Sequence, residues 1–342
     1  MTEPPTDRRP TDGIAAQSAA SRRRRRPGPR FHHGWGDLTP PPPRPLVARL
    51  VGGAIRLFGA LPLPVLRAVA TGVGRAGAWL PTRERGVAEA NLRLAFPELD
   101  PAARRRLVRT SLVETAKTFA EFAAVWTWSP ERLLGQIRKV SGEEAVRAAI
   151  AEGRGVIVAG PHLGNWELAG AYCSMRYPMT TLYQKPRIVE LEALSRRYRE
   201  RFGARLVPAG VSAVRTLLGA LRRGEMVGIL PDQDAGTGLG VFAPFFGHPA
   251  NTMMLLPRLA TDTRAQVVLV YAERLPRGGG FHLRFVPASP GIDDPEIERS
   301  AAVLNGDVER TVRALPEQYM WSYKRFRIRP PGFPDPYGAA RR

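Results

Sequence analysis

The apolar positions of this chain fall into short blocks whose spacing switches between strand and helix. Gly155 to Ala159, five residues, are apolar or small and uncharged, as in a strand buried on both faces. Gly160 and Pro161 end that strand, and from Leu163 the positions Trp166, Leu168, Ala169 and Cys173 read as a buried helix. Downstream, strands are predicted over Met179 to Tyr183, Arg205 to Val207 and Met226 to Leu230. Helices over Ile188 to Phe202, closed by Gly203, and over Val211 to Arg223 lie between them. Gln266 to Glu273 and Phe281 to Val286 add two more strands, and Glu296 to Ala314 a final helix. This alternation predicts an α/β fold with a mainly parallel or mixed central sheet flanked by helices.

Upstream the pattern is helical. Asp100-Pro101 supplies an N-cap and a first-position proline. Val108, Leu112, Thr115, Phe119, Phe122 and Trp126 then follow 4-3-4-3-4 spacing, a stripe best read as one core-packed face of a long helix. Ser141-x-x-Glu144 has the form of a capping box for a helix ending at Gly153. Leu46 to Leu80 is apolar but interrupted by Arg49, Arg56, Arg67 and Arg75, and Pro62 and Pro64 split it into two helices. No uncharged run there reaches the roughly 18–20 residues that span a bilayer. Arg49, Arg56 and Arg67 fall within about 20° of one helical face. Residues 45–82 are therefore expected to be amphipathic helices at a membrane interface, their guanidinium groups snorkelling to phosphates.

Charge sharpens this picture. The 342 residues carry a formal net charge of +20, nearly all from arginine, which favours acidic partners. Residues 1–44 hold the run Arg22 to Arg26 and prolines 40–43, too little apolar surface to order, and are expected to be a disordered basic tail suited to an anionic membrane. No apolar core follows the arginines, so the tail is not a secretory signal. The body of the domain is expected over residues 83–330 and a flexible tail over 331–342. The single cysteine, Cys173, excludes an internal disulfide. There is no Cys-x-x-Cys, histidine cluster or glycine-rich phosphate loop, so neither a metal nor a resident cofactor is expected.

The candidate chemistry sits at the end of the Gly155 strand. His162 lies where a strand hands over to a helix, at the open carboxyl edge of the sheet. Glu167 is five residues on, about 140° round an ideal helix, so the two meet only if His162 precedes the first turn. Glu167 would then hold one ring nitrogen and leave the other free to take a proton. The amides of Leu163 to Asn165 would face an anion formed there. A bare His-x4-Glu match arises readily by chance, and the strand before it gives this one weight. No serine lies in a Gly-x-Ser-x-Gly elbow, so that type of nucleophile is excluded. Two other loops leave strand ends nearby. Tyr183-Gln-Lys-Pro186 presents Lys185; Pro231-Asp-Gln-Asp234 presents Asp232, placed to position an acceptor or pair with a basic residue, and Asp234. Gly236 to Gly240 reads as a lid. Phe242, Phe245, Phe246, Met253 and Met254 suit core packing or an acyl groove. Tyr319-Met-Trp321 beside Lys324, Arg325, Arg327 and Arg329 suits a membrane edge, phosphate contacts or RNA.

Pro161-His-Leu-Gly-Asn-Trp-Glu167 closely resembles the His-x4-Asp/Glu motif of the late acyltransferases of lipid A biosynthesis, the lauroyl/myristoyl transferase family within the wider glycerolipid acyltransferase group. Ala90-Asn-Leu-Arg-Leu-Ala-Phe-Pro-Glu98, Leu230-Pro-Asp-Gln-Asp234, Phe242-Ala-Pro-Phe-Phe246 and Pro316-Glu-Gln-Tyr-Met-Trp321 extend the likeness from about Leu46 to Pro330. The resemblance implies the acceptor, an acyl-chain hydroxyl of a lipid A precursor at the cytoplasmic face of the inner membrane; the donor is read as the thioester of an acyl carrier protein, with coenzyme A left open. The acyl thioester is then a co-substrate. His162 is implied as general base and Glu167 as its orienting partner, with substrate contacts from Gly164, Asn165, Lys185, Asp232 and Asp234. The family usually carries arginine after the tyrosine at 183, whereas this chain has Gln184; Lys185 can replace it less rigidly. That departure leaves open another glycolipid acceptor, such as a phosphatidylinositol mannoside. A non-catalytic membrane- or nucleic-acid-binding protein would also suit the charge, but no nucleic-acid motif appears and no nucleic-acid partner is expected.

Overall fold

The uncharged run after Gly155 forms the centre of a seven-stranded sheet. The computed structural model describes Met1, residues 44–185 and residues 189–338. The basic tail expected over residues 1–44 lies, but for Met1 and Arg44, outside the described residues. In chain order the elements are α1 (Pro45–Ala60), α2 (Leu63–Trp79), α3 (Arg83–Ala95), α4 (Pro101–Thr127), α5 (Pro130–Leu134), β1 (Ile137–Ser141), α6 (Glu144–Ala151) and β2 (Val156–Ala159). There follow α7 (Trp166–Arg176), β3 (Met179–Tyr183), α8 (Val189–Glu200), β4 (Ala204–Pro208), α9 (Val211–Arg222) and β5 (Met226–Ile229). The chain closes with β6 (Gly240–Phe245), β7 (His248–Met253), α10 (Leu255–Thr263), β8 (Gln266–Arg274), β9 (Phe281–Pro287) and α11 (Ile297–Ala314).

The strand order is β1-β9-β8-β2-β5-β3-β4. β2 pairs in parallel with β5 and β8, and β3 with β4 and β5. β9 is antiparallel to β8 and carries β1 beside it in parallel, so the sheet is mixed with a parallel centre. Every residue of β2 and β5 is buried, which is why both read as plain apolar runs without alternation. Each large side chain buried there contributes about 1.5–3 kcal/mol.

Two apolar layers cover the sheet. One, with Leu66, Val146, Leu168 and Cys173, lies under α2, α6 and α7; the other, with Leu217, Leu256, Leu304 and Val308, lies under α9, α10 and α11. After β2 the chain leaves onto the first layer through α7. After the neighbouring strand β5 it leaves onto the second, through the β6–β7 hairpin and α10. Their carboxyl ends therefore open the crevice where the chain turns to opposite faces, the switch point at which α/β sheets bind ligands.

The expected cap at Ser141 needs correction. Ser141 does not cap α6: β1 pairs with β9 through Ser141, and its hydroxyl lies 2.7 Å from His282 Nε2. The cap position of α6 is Glu143, whose side chain makes no capping bond. The Gly236 to Gly240 segment leads directly into the antiparallel β6–β7 hairpin, whose two-residue turn, Phe246-Gly247, has both φ angles positive (49° and 73°), as the right-handed strand twist demands. Phe245 and Phe246 are buried in the second layer while Phe242 is exposed. Of the tail expected over residues 331–342, the described part, 331–338, returns to the body: buried Tyr337 accepts from the Phe326 amide (3.0 Å) and donates to Asn91 Oδ1 (2.7 Å), while residues 339–342 lie outside the described residues.

α4 starts as expected, with Asp100 Oδ1 accepting from Ala102 (2.8 Å) and Ala103 (2.9 Å). Of its expected stripe Val108 is buried and Leu112 and Thr115 are half-buried, but the face changes further along. Phe119 is 52% exposed, Phe122 and Trp126 are half-buried, and the inward side holds Ser111, Thr118 and Glu121. α1 and α2 meet at a 119° bend and expose Leu50, Leu57, Val65, Val69, Val73 and Trp79 on their outer sides. No single helix among the described residues is long and apolar enough to cross a membrane. On the inner side α2 sits tightly on α4: a Cβ on Gly74 would fall 2.7 Å from Val113 Cα. Arg49 and Arg56 are exposed, but Arg67 does not join them at the surface. It is buried, its Nε 2.6 Å from Glu121 Oε1.

Candidate active site

His162 follows the break at Gly160-Pro161, in irregular chain between β2 and α7. Its ring Nδ1 lies 2.8 Å from Asp232 Oδ1, and its own backbone N–H donates to Asp232 Oδ2 at 2.9 Å. Asp232 stands in the loop after β5, and β5 is hydrogen-bonded to β2, so the switch-point crevice brings together residues 70 positions apart. One carboxylate thus fixes both the backbone and the ring of the histidine. Burial pushes Asp232 up, but the adjoining His162 ring and its two hydrogen bonds outweigh this and hold the carboxyl below its ordinary value. An ionised Asp232 fixes the proton on Nδ1 and leaves the lone pair on Nε2. Gln233 supplies the group there, its Nε2 at 3.0 Å from His162 Nε2.

Glu167, the expected partner of His162, does not hold the ring. Arg199 takes both of its oxygens, the Nε bond measuring 3.1 Å, and Trp126 Nε1 donates to Oε2 at 3.1 Å. Burial raises the Glu167 pKa; Arg199 first, then the indole of Trp126 and the more distant His162, reverse the shift and keep it below the usual glutamate value. The reason is steric. Trp166, the first residue of α7, lays its ring 4.8 Å from the imidazole, and Glu167, one residue on, faces α4 and α8 instead.

The amides expected to face an anion are committed elsewhere. Leu163 N–H donates to Pro161 O (2.7 Å), Gly164 N–H to Gln318 O (3.1 Å) and Asn165 N–H to Ala272 O (2.8 Å). Gly164 is in the left-handed region (φ 59°) and a Cβ there would strike the carbonyl of Ala272, so only glycine lets this turn lie against β8. Asn165 is fully buried and caps α7, its Oδ1 accepting from Leu168 (2.9 Å) while Nδ2 donates to Glu121 Oε2 (3.0 Å). Gly164 and Asn165 therefore shape the turn from behind. Asp234 is also spent internally: it accepts from Gly236 N (2.8 Å), Ile328 N (3.0 Å) and Arg327 (3.3 Å). Lys185 is exposed in the loop after β3, with no bond to the His162 cluster.

The segment 316–329 straps these loops together. Met320 N–H donates to His162 O (3.0 Å), and Asp234 N–H donates to the Tyr323 hydroxyl (3.1 Å). Tyr319, Trp321 and Arg325, expected at a membrane or nucleic-acid surface, are buried. Tyr319 sits against Asp232, and burial followed by that carboxylate pushes its hydroxyl well above the usual tyrosine range. Trp166 packs edge-on against Phe122 and Phe119, with ring centroids 5.3 and 6.2 Å away, so an aromatic wall leads from His162 to the exposed side of α4. Sequence reasoning did not single out Gln233, Arg199 or Tyr319 for this cluster. Adjacency to Asp232 could have flagged Gln233; nothing in the sequence marks Arg199. Among the described residues no three His, Cys, Asp or Glu side chains group to hold a metal ion.

A switch-point histidine held at ring and backbone by one buried carboxylate is the arrangement that this α/β fold presents at its ligand-binding edge. The chain belongs to the bacterial lipid A biosynthesis acyltransferase family, whose model matches residues 42–328. It is 31% identical over 288 residues to the lipid A biosynthesis lauroyltransferase of Escherichia coli (strain K12), covering 83% of this chain and 92% of that protein. The palmitoleoyltransferase of the same strain is 30% identical over 287 residues, with 82% and 90% covered. The myristoyltransferase is 27% identical over 280 residues, with 80% and 83% covered.

Proposed function

We propose that this protein moves a fatty acyl chain from a thioester on an acyl carrier protein to a hydroxyl of a lipid A precursor. His162 is the general base and Asp232, rather than Glu167, orients it. The two-point contact between His162 and Asp232 carries this reading. His162 Nε2 accepts the proton of the acceptor hydroxyl as its oxygen attacks the thioester carbonyl. The tetrahedral intermediate then expels the carrier thiolate, which takes the same proton back from Nε2. Asp232 balances the imidazolium in between, and Gln233 yields its place on Nε2 to the hydroxyl. The N-terminal end of α7, beside the imidazole, favours the negative charge that develops. Glu167 serves by fixing Arg199 and Trp126 at the edge of the aromatic wall, along which the acyl chain lies.

The exposed apolar sides of α1 and α2, with Arg49 and Arg56 among them, support docking on the anionic cytoplasmic face of the inner membrane. The net charge of +20 supports both an acidic carrier and a phosphorylated acceptor. Gln184, where arginine is usual, favours a second reading in which the acceptor is another glycolipid, such as a phosphatidylinositol mannoside.

His162→Ala and Asp232→Asn are each expected to lower kcat by about 10²–10⁴, the typical worth of a positioned acid–base group. Initial rates with acyl carrier protein thioesters and mass spectra of lipid extracts from cells with and without the gene test both chemistry and acceptor. Near-normal turnover in Asp232→Asn together with loss in Glu167→Gln would return the orienting role to Glu167.

A further inference from the structure

Behind the His162 turn lies a buried ionic cluster that the chemistry itself does not use. Glu121 on α4 is its hub. Arg274 of β8 gives it two bonds, Nε to Oε1 (2.8 Å) and a terminal nitrogen to Oε2 (2.6 Å). The same guanidinium also reaches Glu114 Oε2 (2.7 Å) and Thr118 Oγ1 (2.8 Å). From the other side Arg67 of α2 places Nε 2.6 Å from Glu121 Oε1. Glu121 Oε2 in turn accepts from the side chain of Asn165, the cap of α7, and Thr118 donates to the carbonyl of Gly164 (3.1 Å). Asn165 and Gly164 belong to the turn that carries His162. Burial raises the Glu121 pKa, but Arg274 and Arg67 more than reverse this and keep it ionised.

Arg67 is an odd member of this cluster. Arg274 alone would already neutralise Glu121 with a two-point contact. Both terminal nitrogens of Arg67 are buried with no hydrogen-bond partner among the described residues, and Phe281 covers the guanidinium carbon at 4.9 Å. Unpaired buried donors are costly, so stability does not account for the arginine; buried ion pairs in general are weak stabilisers. Its geometry does. Arg67 is the point at which α2, exposed and apolar on its outer side at Val65, Val69 and Val73, touches the hub that holds the catalytic turn.

We propose that Arg67 is a positioning residue that transmits the seating of α2 on a bilayer to the His162 turn, through Glu121 and Asn165. The inference rests on the bilayer-docking reading given above. When α2 is held by lipid, Arg67 pins Glu121 Oε1, Oε2 stays aimed at Asn165, and the cap of α7 stiffens beside His162. Released from lipid, α2 loosens that restraint and the turn samples other positions.

Arg67→Met tests this well because it should fold: it removes the two unpaired groups, and Glu121 keeps both bonds to Arg274. Amide hydrogen exchange of the full chain is measured with and without vesicles of phosphatidylethanolamine and phosphatidylglycerol, alongside kcat and KM. In the wild type, vesicles are expected to slow exchange in α1 and α2 and also, several-fold, at residues 163–168. In Arg67→Met they slow α1 and α2 alone, and kcat falls about 10–100-fold with KM little changed, as for a misplaced catalytic group. Arg67→Lys, which can still give one N–H to Glu121, restores part of both effects. Vesicle protection at 163–168 that survives in Arg67→Met, or a kcat there within about twofold of wild type, overturns the proposal. So does a wild type whose α1 and α2 ignore vesicles. Failure of the acyl-transfer reading looks different: the wild type moves no acyl group while the exchange pattern stands.

Discussion

α4 and α11 are the two longest helices among the described residues, yet they differ in what they expose and in what their buried polar groups hold. α11 buries Ala301, Leu304, Val308 and Val312 together with Asp307, whose carboxylate is held by Arg310 and the Ser289 amide, and it exposes no large apolar side chain. α4 turns Phe119 out and brings Ser111, Thr118 and Glu121 in. The difference lies in what each helix faces. α11 meets the apolar side of the sheet; α4 crosses its carboxyl edge, where the His162 turn and Arg274 present carbonyls and charge that an aliphatic face would leave unpaired. An apolar stripe marks a buried face only where water is the alternative; on α4 part of the stripe stays at the surface and joins the aromatic wall that leads from His162.

The contrast can be broken most forcefully at Glu121. Replacing it with alanine strands the buried guanidinium groups of Arg274 and Arg67, and is expected to destabilise the protein by about 3–5 kcal/mol. The folded remainder should also show reduced kcat, because Asn165 loses its acceptor. Leu304→Ala on α11 should cost about 2–5 kcal/mol through a cavity, with kcat per folded molecule unchanged. Urea unfolding combined with active-site-normalised rates separates the two. A Leu304→Ala enzyme as slow as Glu121→Ala would erase the distinction.

Acid offers a smaller, sharper test. Glu121, Glu167 and Asp232 are raised by burial but lowered further by Arg274, Arg199 and His162 respectively, so all three lie below their ordinary values of 4.5, 4.5 and 3.8. Depressed carboxyls stabilise the fold above their unfolded values, and that contribution drains away as pH falls through the lower folded ones. The thermal midpoint is therefore expected to drop below about pH 4.5, and Glu121→Gln to show a shallower fall than wild type. Leu304→Ala, which removes no titrating group, leaves the slope of that profile unaltered. Smallest of all, Phe119→Ser should change stability by no more than about 0.5 kcal/mol, as for other exposed positions. It should nevertheless raise KM for a long-chain acyl donor; an unchanged KM would take Phe119 out of the substrate path.

Much of the backbone was legible beforehand. The strands at Met179, Met226, Gln266 and Phe281 and the helix opened by Asp100-Pro101 all formed, because short apolar runs and caps act through neighbours in sequence. Ser141 misled because a strand partner, Arg284 on β9, competes with the local cap. Arg67 misled because seven- and eleven-residue spacing gives a helical face but not what that face meets.

The sequence by itself determined that a histidine would stand at the rim of a parallel strand, since that required only an apolar run, a Gly-Pro break and a helix start within about a dozen residues. Which carboxylate would hold that histidine was decided by tertiary structure alone. Glu167 is near in sequence but turns with α7 toward Arg199, whereas Asp232, 70 residues on, arrives at the ring because β5 pairs with β2. Strand pairing sets side-chain distances through hydrogen bonds that no local pattern encodes, and the partner of a catalytic group is a matter of such distances.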